Sequence, residues 1–125
     1  MRKKKLRYSV IILIALLLAL IWYNWYREHL FSSTRWINDS SSRELMVNDL
    51  LNRFELTGLT ECEVIYLLGE EDQKGSQQST FKGDSHFYPP ESTLVYFIGV
   101  DYVEERWLIV SLESGVVDGI SIGVT

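Results

Sequence analysis

The sequence predicts an α+β protein in which an N-terminal transmembrane helix precedes a helical hairpin packed on a three-stranded antiparallel β-meander. Three observations indicate this fold. Residues 8–26 carry no charge, residues 41–69 contain two segments with apolar residues at helical spacing behind capping residues, and residues 93–124 contain three alternating runs. A chain of 125 residues leaves room for one small domain after the apolar segment.

The apolar segment is long enough to cross a bilayer. As a helix rising 1.5 Å per residue, the 19 residues from Tyr8 to Tyr26 span about 28 Å, close to the thickness of the hydrocarbon layer. The ten Leu, Ile and Val side chains between Val10 and Ile21 favour insertion by roughly 3 to 6 kcal/mol. A Trp and Tyr cluster at residues 22–26 suits the headgroup layer.

The distribution of basic residues predicts the orientation. Five Lys and Arg residues precede the apolar segment, whereas the three Arg residues that follow within about twenty positions are offset by acidic neighbours. We therefore expect a single-pass protein of the cell membrane with a cytoplasmic N-terminus. Its divisions would be a basic tail (1–7), a transmembrane helix (8–26), a tether on which Trp36 docks (27–40) and an extracytoplasmic α+β domain (41–125).

Two other interpretations of the apolar segment stay open. A cleaved signal peptide has a similar basic start and apolar stretch, but it requires small residues before the cleavage point, and no good Ala-x-Ala site is present. A buried helix of a soluble protein is the other alternative. No cysteine follows the apolar run to act as a lipid-attachment site.

The first helix of the predicted hairpin should run from about residue 42 to residue 54. Ser41 and Glu44 have the spacing of a capping box, in which the hydroxyl and the carboxylate accept hydrogen bonds from free backbone N–H groups. The apolar stripe (Met46, Val47, Leu50, Leu51 and Phe54) lies opposite polar residues that include Arg43. We therefore expect Arg43 on the solvated face.

The second helix should begin after Thr60 and end at Gly69. Thr60 and Glu63 again have capping-box spacing, and glycine is the usual residue at a left-handed helix end. Gly58 lets the chain turn back between the two helices. Cys62 is the only cysteine, and its apolar neighbours predict a small buried thiol, although pairing with another chain stays possible.

Three strands are predicted at Thr93 to Val100, Arg106 to Glu113 and Val116 to Val124, because apolar residues alternate along each run. The short turns between them favour an antiparallel meander. Residues 70–92 form a polar connection with a possible short strand near Thr80 to Lys82. At more than twenty residues this connection exceeds the usual length. Such a length indicates a connection that is either partly disordered or functional.

The string Gly58-x-Thr60-x-x-x-Val64-x-x-Leu67-Leu68-Gly69, followed by a Tyr-containing strand at residues 94–99, resembles the SmpA/OmlA (BamE-like) small-lipoprotein fold. That fold is also seen in repeats of the β-lactamase inhibitor protein. The resemblance covers residues 41–124 and implies the order of two helices and three strands, together with a binding character. The chain departs from the family in lacking the lipid-bearing cysteine and the proline after Leu-Leu-Gly.

Composition argues against several functions. After the first seven residues the chain has 7 basic and 17 acidic residues, a net charge of −10. Such a surface repels phosphate backbones, so we expect no nucleic-acid partner. His29 and His86 have no second ligand at metal spacing, and the acidic run at residues 70–72 with Asp84 lacks the spacing of a calcium loop, so we expect no metal and no cofactor.

No catalytic motif is present, which argues against an enzyme. The sequence favours a membrane-anchored, non-catalytic extracytoplasmic module that binds another envelope protein through the sheet or the 70–92 connection. Tyr96, Phe97 and Trp107 are candidate partner-binding residues, because aromatic side chains dominate interface energetics, although each could equally fill the core. The alternative is an immunity or inhibitor protein that uses its acidic surface against a cationic toxin or enzyme.

Overall fold

The computed structural model describes residues 2–74, 81 and 89–125. Within these residues the protein is α+β, as predicted, with an apolar N-terminal helix and an antiparallel sheet. The helices and strands follow one another in the order α1 (Arg2–His29), α2 (Ser33–Asn38), α3 (Arg43–Arg53), α4 (Glu61–Leu68), β1 (Gln73–Lys74), β2 (Thr93–Asp101), β3 (Glu104–Glu113) and β4 (Val116–Val124).

The three predicted strands are confirmed almost to the residue, and each pairs with the next to form the meander. The two-residue strand β1 extends the sheet by pairing with Leu94 and Val95 at the edge of β2, which the sequence did not predict. The short strand expected near Thr80 to Lys82 falls on a segment of which only Phe81 is described, and Phe81 lies in a bend.

Helix α1 carries its apolar side chains on the outside of the molecule. The stretch from Lys3 to His29 is long and apolar enough to cross a membrane, and none of it is buried against the rest of the chain. The large apolar side chains between Val10 and Ile21 all remain exposed. The fold therefore leaves this surface without a protein partner among the described residues.

The residues after α1 are ordered and carry core side chains. Phe31 and Trp36, both expected in the tether, are buried in the main core, and Trp36 is fully inaccessible. The N–H of Phe31 donates to Asp49 Oδ2 at 2.7 Å. Arg35 donates from its guanidinium to the carbonyl oxygens of Arg27 and Glu28 in the last turn of α1. These contacts fasten the end of α1 to the domain.

Helix α3 begins differently from the prediction. The Ser41–Glu44 capping box does not form, because residues 40–42 make a 3₁₀ turn in which the carboxylate of Asp39 accepts the N–H of Ser41 at 3.2 Å. Asp39 therefore takes the N–H that the Glu44 carboxylate would accept in a capping box, and it also accepts the Ser41 hydroxyl at 2.5 Å. Glu44 instead accepts a hydrogen bond from Arg106 on β3, at 3.2 Å.

Helix α4 follows the prediction at both ends. The hydroxyl of Thr60 accepts the N–H of Glu63 at 3.3 Å, and Gly69 ends the helix with φ +82°.

The packing of α3 and α4 is different from a simple hairpin: α4 packs against α2, and α3 packs against β2 and α1. Ser33 in α2 donates to the carbonyl oxygen of Leu67 at 2.5 Å, which ties α2 to α4.

The sheet buries side chains on both faces. On its inner face, alternate residues of β2 and β3 meet the helices in one main cluster (Leu94, Tyr96, Ile98, Leu108, Val110 and Leu112 from the sheet). On its outer face, Val95 and Ile109 form a smaller cluster with Phe81, and Trp107 packs against it.

Candidate functional site

The three predicted partner-binding residues lie on opposite faces of the sheet. Tyr96 points into the main core, is fully inaccessible, and donates its hydroxyl to the carbonyl oxygen of Gly69 at 2.9 Å. A partner could not touch this side chain without opening the core. The structure therefore replaces the binding role expected for Tyr96 with a structural one.

Phe97 and Trp107 lie together on the outer face. They are directly opposite each other on β2 and β3, both are half-buried, and their rings meet edge to face with centroids 5.4 Å apart. Pairs of this geometry contribute about 0.5 to 1.5 kcal/mol beyond their burial. Each ring keeps part of its surface accessible, as a binding residue requires.

Small residues on β4 shape the surface beside Trp107. Gly119, Ser121 and Gly123 stand opposite the outer-face residues of β3 and provide little bulk. Phe81 fills the space above Gly123, where an added Cβ would lie 2.5 Å from the Phe81 ring. The outer face thus carries a partly accessible aromatic pair, Phe97 and Trp107, beside the buried ring of Phe81.

An ion pair between a buried arginine and a more exposed carboxylate joins the helices to the sheet, and the sequence did not reveal it. Arg43 is 4 % exposed, not solvated as expected, and its guanidinium donates to Asp72 Oδ2 at 2.7 Å, to the Trp36 carbonyl oxygen at 2.8 Å and to the Phe97 carbonyl oxygen at 3.1 Å. Asp72 also accepts the N–H of Phe97 at 2.7 Å. These bonds connect α2, α3, β2 and the segment before β1.

The negative charges at residues 70–72 affect the core next to them. Burial, followed by the charges of Glu71, Asp72 and Glu70, raises the pKa of Tyr96 well above its usual range, and Arg43 only partly opposes this. The hydroxyl therefore stays protonated in the folded protein at all pH values at which an ordinary tyrosine ionises.

Replacing Tyr96 by Phe should cost about 1 kcal/mol of stability at neutral pH, because the bond to Gly69 is lost. In the unfolded chain a tyrosine ionises near pH 10, while folded Tyr96 keeps its proton. The stabilisation from Tyr96 is therefore complete below about pH 10 and declines as the pH rises further. Equilibrium denaturation of both proteins should show their difference shrinking above pH 10, and a difference that is constant from pH 8 to 11 would contradict this.

The described residues offer little for metal or acid–base chemistry. No group of three or more His, Cys, Asp or Glu residues that could hold a metal ion occurs among them. The ring of His29 stacks on Trp25, and its Nδ1 lies 2.8 Å from the Trp25 carbonyl oxygen. His86 and Asp84 lie outside the described residues.

Cys62 is exposed, so the prediction of a buried thiol is wrong. The core side of α4 is formed by Val64 and Leu68, and Cys62 lies on the side that faces away. Tyr66 follows Cys62 by one turn on that side and is almost fully exposed. Capping residues located α4 in the sequence, but they did not indicate which of its two apolar sides is buried.

Comparison of the chain with family models, with curated proteins and with solved structures finds no match. The resemblance to the SmpA/OmlA (BamE-like) fold therefore stays a prediction from the sequence.

Proposed function

We propose that this protein is a membrane-anchored, non-catalytic extracytoplasmic module that binds another protein of the cell envelope. The observation that carries the proposal is the exposed apolar surface of α1, which has no partner among the described residues and leads directly into a folded domain. Lipid is the environment that best satisfies such a surface. The basic residues before α1 and the aromatic cluster at its end favour a cytoplasmic N-terminus.

The junction between α1 and the domain supports a role in presenting a surface. Arg35 binds carbonyl oxygens at the end of α1, and the Phe31 N–H binds Asp49 on α3. These bonds hold the domain in one orientation on the helix. An anchored domain of this kind would show the same surfaces to every partner that approaches along the membrane.

The outer face of the sheet is the surface we assign to the envelope partner. Phe97 and Trp107 are the anchors, because they are aromatic, partly accessible and held in place by each other. Phe81 is buried beside this pair, where it packs against Gly123 and supports the surface from below.

Photo-crosslinking in the cells that make the protein tests this assignment. A photoreactive phenylalanine analogue in place of Phe97 should give one specific protein adduct, because this ring is at the proposed interface. The matched control places the analogue at Glu113, an exposed residue at the end of β3. Absence of an adduct from position 97, or the same adducts from both positions, would contradict the assignment.

The net charge of −10 after the apolar segment favours a second candidate, an immunity or inhibitor protein directed against a cationic toxin or enzyme. The two candidates differ in their consequence for the partner. An inhibitor lowers the activity of the protein that it captures, whereas an envelope module leaves its partner active and alters its location or assembly. Activity of the crosslinked partner, measured with and without the anchored protein, separates them.

A further inference from the structure

Helix α4 has an apolar groove on the side that faces away from the core. The groove has a volume of about 350 Å³ and is lined by Leu59, Cys62, Glu63, Tyr66 and Leu67. Tyr66 is 87 % exposed, and Cys62 is exposed one turn before it. Because Val64 and Leu68 already bury the opposite side of α4, this short helix is apolar on two sides. A partner that covered the Tyr66 ring would remove a large exposed apolar surface from water, which favours binding.

The charge around the groove indicates what can fill it. Between Arg53 and Lys74 the sequence contains six acidic residues and no basic residue (Glu55, Glu61, Glu63, Glu70, Glu71 and Asp72). Asp72 is paired with Arg43, whereas Glu63 is one of the residues that line the groove, and its carboxylate accepts the Thr60 hydroxyl at 3.1 Å. A cationic partner would be attracted to this acidic part of the chain.

The same charges argue against a second copy of the chain in the groove. Two α4 helices packed face to face would bring Glu63 of each copy close to the acidic residues of the other. Like charges across an interface are costly, and α4 has no basic residue to offset them. Anionic lipid headgroups are disfavoured for the same reason.

We propose that the α4 groove binds a cationic amphipathic segment of another protein. An apolar side chain of that segment would lie between Leu59 and Tyr66, and its Lys or Arg residues would face Glu63 and the acidic residues around it. An amphipathic helix laid into an apolar groove is a common mode of peptide recognition. This surface is separate from the outer face of the sheet, so it extends the proposed function and does not depend on where the envelope partner binds.

Cys62 provides a direct measurement, because it is the only cysteine of the chain and lies in the groove. The full chain in nanodiscs of zwitterionic lipid is labelled with a maleimide in the presence of a helical peptide that has Leu on one face and Lys elsewhere. With the peptide at about ten times its dissociation constant, labelling should slow about tenfold. The same peptide with Glu in place of Lys should leave the rate unchanged.

Variants at exposed tyrosines separate binding in the groove from adsorption to the disc. Tyr66→Ala should weaken binding of the peptide about fivefold or more, since truncation of an aromatic interface anchor commonly has an effect of this size. At the same peptide concentration the slowing of Cys62 labelling should then fall from about tenfold to about threefold or less. Tyr102→Ala, at an equally exposed tyrosine in the β2–β3 turn, should leave the protection as it is. Denaturation curves confirm that both variants are folded.

The proposal is overturned if the Lys peptide leaves the labelling rate unchanged, if the Glu peptide protects equally well, or if Tyr66→Ala leaves the protection unchanged. It is also overturned if a bifunctional maleimide joins two chains through Cys62, because a second copy would then occupy the groove. None of these outcomes affects crosslinking from position 97. Failure of the α4 groove can therefore be distinguished from failure of the envelope-module function.

Discussion

Replacing Arg43 by Met should destabilise the folded domain by at least about 2 kcal/mol, because each buried acceptor that loses its donor costs about 1 to 3 kcal/mol. The guanidinium makes three hydrogen bonds, to Asp72, Trp36 and Phe97. Methionine fills a similar volume but offers no donor, so the carbonyl oxygens of Trp36 and Phe97 lose this bond. Asp72, whose side chain is 37 % exposed, keeps the Phe97 N–H as a donor. The free energy of unfolding is measured by equilibrium denaturation of the full chain in micelles, followed by tryptophan fluorescence.

Two further variants test whether the position of Arg43 causes the effect. Arg53 forms an ion pair with Asp49 at 2.9 Å, but its side chain is 51 % exposed, so Arg53→Met should cost at most about 1 kcal/mol. Arg43→Lys keeps the positive charge, but a compact ammonium cannot reach all three groups that the planar guanidinium binds. The loss of stability in Arg43→Lys should therefore lie between those of Arg53→Met and Arg43→Met. Equal costs for Arg43→Met and Arg53→Met would show that the buried arginine is not a main support of the fold.

The partner of Arg43 illustrates what the sequence could not supply. Arg43 was expected in solvent with the polar residues of α3, but it precedes Met46, Val47 and Leu50 by three, four and seven positions, so helical spacing places it on the same face as the apolar stripe. Its partner Asp72 lies 29 positions later, in a segment that the sequence predicts to be a polar loop. Helical periodicity describes one helix at a time, so it cannot reveal that a second segment returns with a carboxylate to cover the charged group.

The strands could be predicted because the sequence features that determine them lie close together in the chain. Alternation and short turns locate β2, β3 and β4 and predict their antiparallel order, and the observed pairing is antiparallel in that order. Alternation also shows that Tyr96 and Phe97 face opposite sides of the sheet. It does not show which side the helices cover, since both faces of β2 are apolar. Only the packed structure places Tyr96 in the core and leaves Phe97 partly accessible.

The starts of α3 and α4 show a similar limit on what a local sequence motif can predict. The Thr60 cap formed as predicted, because the hydroxyl of Thr60 has no stronger rival for the Glu63 N–H. The Ser41–Glu44 cap did not form, because Asp39 takes the Ser41 N–H and Glu44 is held by Arg106 of β3. A capping motif therefore predicts a helix start well, but competing charges decide which side chain provides the cap.

Introducing two arginines into α1, Leu13→Arg with Leu17→Arg, should abolish membrane retention. These positions are one turn apart near the middle of the apolar run, and both side chains are exposed on α1. Each arginine at the centre of a membrane helix costs about 2.5 to 3.5 kcal/mol, so the pair opposes insertion by roughly 5 to 7 kcal/mol. That cost matches or exceeds the roughly 2 to 5 kcal/mol by which the eight remaining Leu, Ile and Val side chains of the run favour insertion.

Membrane retention is measured by alkaline extraction and by a reporter fused after Thr125 that is active only outside the cytoplasm. The parent chain should resist extraction, keep its N-terminus and show an active reporter, whereas the double-arginine variant should lose both properties. The matched control, Leu13→Ala with Leu17→Ala, loses only about 1 kcal/mol of insertion energy and should behave as the parent does. A parent chain beginning near residue 20 to 30 would indicate a cleaved signal peptide. A double-arginine variant that resists extraction would show that α1 is held by protein contacts and not by lipid, and the anchored arrangement would then have to be abandoned.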